Sequence, residues 1–194
     1  MSNNSRLVAV GKPKIGGAIF RAPLDTVLPT DETTALDAAF IGQGYVSSEG
    51  LARAIAKAYE QIQAWGGDEV HRPRTSHSVT MTFTLIESHN AEVAKTIWGE
   101  DAVTVTPATA EHGTRISVAY TGEDLPDSAW AFDLADGDKV RRIVVPHGQM
   151  VTESFEQTFG DSELIAYPVT ITLRKDDDEV YFYEYSDDGV KAAA

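Results

Sequence analysis

Three observations predict a mainly β fold for this chain, a β-sandwich or barrel of two antiparallel sheets with one short flanking α-helix. First, polar and apolar residues alternate over 78–85: Val79, Met81, Phe83 and Leu85 share one side, and Ser78, Thr80, Thr82 and Thr84 the other. That period of two marks a strand with one buried and one polar face. Second, the period then changes. Val93, Ala94, Ile97 and Trp98 share one face of a helix over 90–98 that Ser88 or Asn90 caps and Gly99 ends. A helix this short has little apolar area of its own and must be held by a sheet. Third, short apolar runs recur at hairpin spacing, for seven or eight strands in all.

Residues 1–50 are interrupted every few positions by Gly16, Gly17, Pro23, Pro29, Gly42, Gly44 and Gly50, which predicts a long N-terminal arm rather than an independent fold. Ile19, Phe20, Leu24, Leu28, Leu36 and Phe40 need a dry surface, so the arm is expected to be ordered and docked. The next segment, 51–65, is ambiguous. Leu51, Ile55, Tyr59 and Ile62 follow helical spacing in an alanine-rich run, yet Ala52, Ala54, Ala56 and Ala58 alternate with larger residues. Gly66 and Gly67 break it after Trp65, and Arg72, Pro73 and Arg74 lead into the alternating strand.

Beyond the helix, 102–106 and 116–120 are predicted strands about a turn at His112 and Gly113. An acidic loop follows, carrying Trp130 and Phe132 and ending in the turn signal Asp136-Gly137. A strand over 140–145 is expected to stop at Pro146 and Gly148. Residues 150–159 and 164–173 are read as a hairpin about Gly160 and Asp161, with Pro168 at an edge or bulge. The run Asp176 to Glu179 forms a turn, 180–185 the last strand, and 187–194 a loose tail. The expected organisation is therefore an arm over 1–50, a β domain over 51–186 containing the helix, and the tail.

Composition excludes several functions. With 30 acidic against 16 basic residues, the net charge of −14 makes a direct grip on nucleic acid phosphates unfavourable. The absence of cysteine removes disulfides, thiolate metal sites and cysteine nucleophiles. No signal peptide and no run of about 20 apolar residues is evident, which predicts a soluble product made in the cytoplasm. The five histidines form no H-E-x-x-H pair, and Gly42-Gln43-Gly44 lacks the rest of a dinucleotide fingerprint. The acidic turn at 176–179 lacks the ligand spacing of an EF-hand and reads as a solvated hairpin tip. Glu153, Glu156 and Glu163, placed in predicted strands, suggest an electrostatic lining. No catalytic constellation, metal site or cofactor is expected.

Several motifs occur together in order: Gly11-Lys12-Pro13, the run from Gly17 through Phe20 and Pro23 to Leu24, Leu28-Pro29-Thr30-Asp31, Gly44-Tyr45-Val46-Ser47-Ser48-Glu49-Gly50-Leu51, and Ala64-Trp65-Gly66-Gly67. In this order the chain resembles the major tail tube proteins of long, non-contractile-tailed bacteriophages along nearly its whole length. The resemblance implies the phage tail tube fold and an assembly of hexameric rings that stack into a hollow tail tube, through which DNA passes during genome ejection. It implies no enzymatic activity and a virion location, after assembly in the host cytoplasm. The implied partners are further copies of the chain, the tape measure protein, the tail terminator and the tail tip proteins, with no membrane. In that family the segment before the Trp-Gly-Gly motif is extended, so 51–62 is expected to be extended here despite its alanines. Under this resemblance the lumen candidates are Thr80, Thr82, Thr84, Glu153, Glu156 and Glu163. The inter-subunit candidates are Ile19, Phe20, Leu24, Leu28, Phe40, Tyr45, Leu51, Ile55 and Tyr59. The alternative is a soluble β-sandwich recognition module, binding carbohydrate or acting with calcium.

Overall fold

The computed structural model describes residues 3–14, 17–151 and 156–191. In chain order the strands are β1 (Lys12–Pro13), β2 (Ile19–Pro23), β3 (Ile41–Gly42), β4 (Val46–Tyr59), β5 (Ile62–Gln63), β6 (Glu69–His71) and β7 (Arg74–Leu85). The helix α1 (Ala91–Trp98) follows, then β8 (Val103–Thr106), β9 (Arg115–Val118), β10 (Ser128–Asp136), β11 (Lys139–Met150), β12 (Tyr167–Arg174) and β13 (Tyr183–Asp187). The main sheet is antiparallel and runs β3-β2-β10-β11-β12-β7-β4, with β1 added on β10 and β13 on β11. Two small ladders, β5-β6 and β8-β9, stand outside it.

This sheet rolls over on itself. Phe83 of β7 meets Trp130 and Phe132 of β10 edge-on, each with ring centroids 5.9 Å apart, although the two strands lie far apart in the sheet order. The facing layers thus make a sandwich from one hydrogen-bonded path. The predicted apolar row of β7, Val79, Met81, Phe83 and Leu85, is buried in this core with Val169 and Ile171 of β12. Helix α1 is capped as the sequence suggests: Asn90 Oδ1 accepts from Glu92 N at 2.9 Å, and Gly99 N donates to Lys95 O at 2.9 Å. Its apolar face, Val93, Ala94 and Ile97, is buried, and Trp98 meets Tyr120 beyond β9 at 5.5 Å.

The structure changes four expectations. The predicted acidic loop is a loop only over 121–127. The remainder contains β10, whose buried Ala129, Trp130, Ala131 and Phe132 form a central strand covered on both faces. The acidic residues disguised it, and Asp133 is tolerated inside because Arg142 faces it.

Pro146 does not stop β11, which continues to Met150. Its pairing with β13 ends at Val144 and that with β12 begins at His147, while the β10 register shifts between Trp130 and Ser128. Proline, with no N–H to donate, therefore falls where the strand changes partner.

Of the predicted hairpin of 150–159 and 164–173, Met150 ends β11, residues 156–166 form a loop and 167–173 lie in β12. Glu156 and Glu163 lie in that exposed loop rather than in strands, and Glu153 lies outside the described residues.

The last strand begins at Tyr183, because Val180 belongs to the preceding turn, where its N–H donates to Asp176 Oδ1 at 2.8 Å. The arm docks on the protomer's own sheet, to which it contributes β2, placing Ile19 in the core.

Candidate functional site

Three surfaces follow from this arrangement. The first is the polar face of the sheet across β4, β7 and β12. Antiparallel partners share a face, and the register sets Ala54 beside Thr80 beside Thr172, and Ala52 beside Thr82 beside Thr170. Thr84 lies beside Pro168, and Ser78 beside Ala56. The result is a broad surface of small hydroxyl and methyl groups. Its charged residue on these strands is Arg174, at the margin, which is held by Asp127 at 3.1 Å and by Gln149 at 2.6 Å.

The second surface is the hairpin made by β4 and β7. β4 is 14 residues long and pairs with β7 on one edge, leaving its other edge open among the described residues. It is extended, as the resemblance implies and against its local helix propensity, because pairing with β7 outweighs the alanines. Past Tyr59 the hairpin leaves the body and ends in the β5-β6 tip. There the turn is closed by Ala64 N to Asp68 O at 2.8 Å and Gly67 N to Ala64 O at 3.0 Å. Gly66 and Gly67 both have positive φ, 116° and 96°, which the turn requires. Trp65 at its apex is fully exposed, and Ile55, Tyr59, Ile62 and Val70 are also exposed along the hairpin.

The third surface lies at the opposite end of β4. A groove of about 630 Å³ opens between the arm and the start of this strand, with Ile19, Leu51, Phe132 and Leu134 among its walls. Gly44, with φ of 72°, lets the chain pass under the Glu87 carboxylate, which accepts from Tyr45 N at 2.7 Å. A Cβ there would stand 2.3 Å from Glu87 Cδ.

The inter-subunit candidates divide by burial. Tyr45, Ile55 and Tyr59 are exposed. Phe20, Leu24, Leu28 and Leu51 are half-buried, and Phe20 and Leu28 pack on the small cluster of Ala22, Phe40, Ala129 and Ala131. Ile19 and Phe40, also among the inter-subunit candidates, are buried within the protomer. Their apolar character serves the core, because the arm folds onto its own sheet. Lumen candidates Thr80, Thr82 and Thr84 share the polar face. Glu156 and Glu163 do not join them there. The segment from Ser47 to Trp65, expected as an inter-subunit surface, includes the exposed Ile62 and Trp65; Val70, exposed beside them, is not among the candidates.

The arm is ordered by polar contacts. Arg142 bridges Asp133 and donates through Nη1 to the carbonyls of Thr34 at 2.6 Å and Asp31 at 3.1 Å. The Asp133 hydrogen bonds raise the Arg142 pKa against the opposing effect of burial. Gln43 accepts from Thr96 Oγ1 at 2.7 Å, tying the arm to α1. Arg21 donates to Ser128 Oγ at 3.0 Å; burial lowers its pKa, and the negative charges of Glu100 and Glu92 oppose that. Among the described residues no cluster of three or more His, Asp or Glu is placed to hold a metal ion.

One rolled sheet thus presents a broad polar face, a projecting hairpin and a groove. A family model described as "Phage tail tube protein" matches residues 1–194, the whole chain. The chain belongs to the phage tail tube protein family. It is a structural protein of the phage tail, and membership implies self-assembly into a tube with other tail proteins and a place in the virion. No curated protein matches the chain. No helix among the described residues is long and apolar enough to cross a membrane.

Proposed function

We propose that this tail tube protein forms hexameric rings that stack into the tail tube, and that its lumen conducts DNA during ejection. The observation that carries this reading is the face of Thr80, Thr82, Thr84, Thr170 and Thr172 with its alanine neighbours. A channel for a polyanion must be wetted without gripping phosphates, and lysine or arginine there would bind them. The threonine face meets this need by neutrality, and the acidity of the chain as a whole discourages DNA from adhering elsewhere.

The open edge of β4 favours ring closure, because a neighbour can add a strand to it by main-chain hydrogen bonds. The projecting hairpin supplies contact between rings. Assembly takes place in the host cytoplasm on the tail tip and tape measure proteins, and the terminator ends it.

Electron microscopy of purified protein at high concentration tests the whole reading. Sixfold rings or tubes with the threonine face on the channel are expected. A particle that stays monomeric and gains stability with calcium or sugar would instead support a recognition module.

A further inference from the structure

Hairpin tip and groove lie at opposite ends of the same strand, β4. A fully exposed tryptophan offers on the order of 200 Å² of apolar surface, and tryptophan is among the residues that most often anchor interfaces. The groove at the other end is walled by Leu51, Phe132 and Leu134 and is large enough for an indole. A knob at one end and a complementary hollow at the other define a heterologous contact, which repeats without closing and builds filaments.

Charge points the same way. Lys57, Arg72 and Arg74 on the hairpin form no ion pair among the described residues, although Arg72 lies 5.3 Å over the Tyr59 ring. At the groove, Glu87 likewise has no cationic partner among the described residues, nor has the exposed Glu49 next in sequence to the lining Gly50, while Lys14 there is taken by Asp133 at 3.7 Å. The hairpin's Glu60, Asp68 and Glu69 balance its three cations, so this element is neutral in a chain of net charge −14 and approaches another copy without the repulsion the acidic bodies exert on each other.

We propose that the hairpin of one copy docks Trp65 first into the groove between the arm and β4 of a second copy, with Arg72 and Arg74 meeting Glu49 and Glu87 at its rim. This rests on the reading of the chain as a tube subunit and specifies its end-to-end contact.

The chain has no cysteine, which makes a crosslinking test clean. In the full-length protein, Gln63→Cys and Tyr45→Cys place one thiol on the tip, with Trp65 kept, and one on the wall of the groove. Both changes fall at exposed positions. An internal disulfide is out of reach, because the 14 residues of β4, at roughly 3.3 Å each, hold the sites on the order of 40 Å apart. Mild oxidation of assembled double variant should give a ladder of dimers, trimers and higher species in non-reducing denaturing electrophoresis, with each single variant giving dimers at most. Tubes that form without a ladder overturn the docking and leave the tube reading standing. Protein that neither assembles nor crosslinks at the highest concentration overturns both.

Discussion

Trp130 Nε1 donates to the carbonyl of Gly148 at 3.1 Å, joining β10 to β11 where β11 changes partner. A Cβ on Gly148 would stand 2.7 Å from Trp130 Cδ1 and 3.3 Å from Val145 Cγ1. The indole cannot yield, since it is buried, stacked near Phe132 at 9° and met edge-on by Phe83. Gly148→Ala should therefore destabilise the fold by about 1–3 kcal/mol through overpacking. A lower denaturant midpoint with unchanged slope is the expected reading. Trp130→Phe tests the other half of the relationship. It leaves the Gly148 carbonyl unsatisfied in the core, at a cost of about 1–3 kcal/mol.

Arg142 and Asp133 give a second prediction. The pair is bidentate, at 2.6 and 2.8 Å, and almost wholly buried. Asp133→Ala leaves a guanidinium inside without its counter-charge and should cost about 3–5 kcal/mol. Because the penalty comes from the orphaned charge, Asp133→Leu combined with Arg142→Met should be less destabilising than the sum of the two single changes. The double variant should still loosen residues 31–34, whose carbonyl contacts to Arg142 are gone. Hydrogen exchange resolves the two effects, since global protection recovers and local protection of that loop does not.

Periodicity made one side of the molecule legible. The alternation over 78–85 gave β7 its buried and polar faces, and Asn90 and Gly99 bounded α1, because these signals are local. What escaped was set by distant partners. β10 reads as a loop while Asp133 is counted as a surface acid, and only its pairing with Arg142 makes it an interior residue. Likewise Pro146 reads as a stop until β11 is seen to exchange β13 for β12 there. The apolar residues of the arm announce burial, but nothing local says that Ile19 goes to the protomer's own core. The groove joins residues of the arm, β4 and β10, and has no motif at all.

The Asp31 carboxylate gives a pH prediction. It accepts from the Thr34 hydroxyl and amide, then from the Thr33 amide at 2.7 Å, and these bonds hold its pKa well below the usual carboxylate range. A depressed folded-state pKa stabilises the fold above the unfolded value of about 3.9, and that contribution is lost as pH falls through the folded value. The same turn presents the Asp31 and Thr34 carbonyls to Arg142. Melting temperature should therefore fall between pH 5 and pH 2.5 by more in the wild type than in Asp31→Asn, which has no charge there to neutralise. Equal acid sensitivity in the two proteins would show that other carboxylates carry the effect.

The threonine face yields the last prediction, which separates a neutral channel from an incidental polar surface. Thr82 is exposed at the middle of β7, between Ala52 and Thr170, so a longer side chain can extend outward without entering the core. Thr82→Lys should leave the protomer's stability within about 0.5 kcal/mol of wild type, as expected for a surface change. If that face lines the lumen, every ring gains a collar of ammonium groups facing the DNA. Each phosphate contact adds to a salt-dependent grip, so the expected phenotype is slow or arrested ejection that high salt relieves. Thr82→Ser is the control and should eject normally. Ejection by the lysine variant at the wild-type rate, in low and high salt alike, would place the face away from the channel.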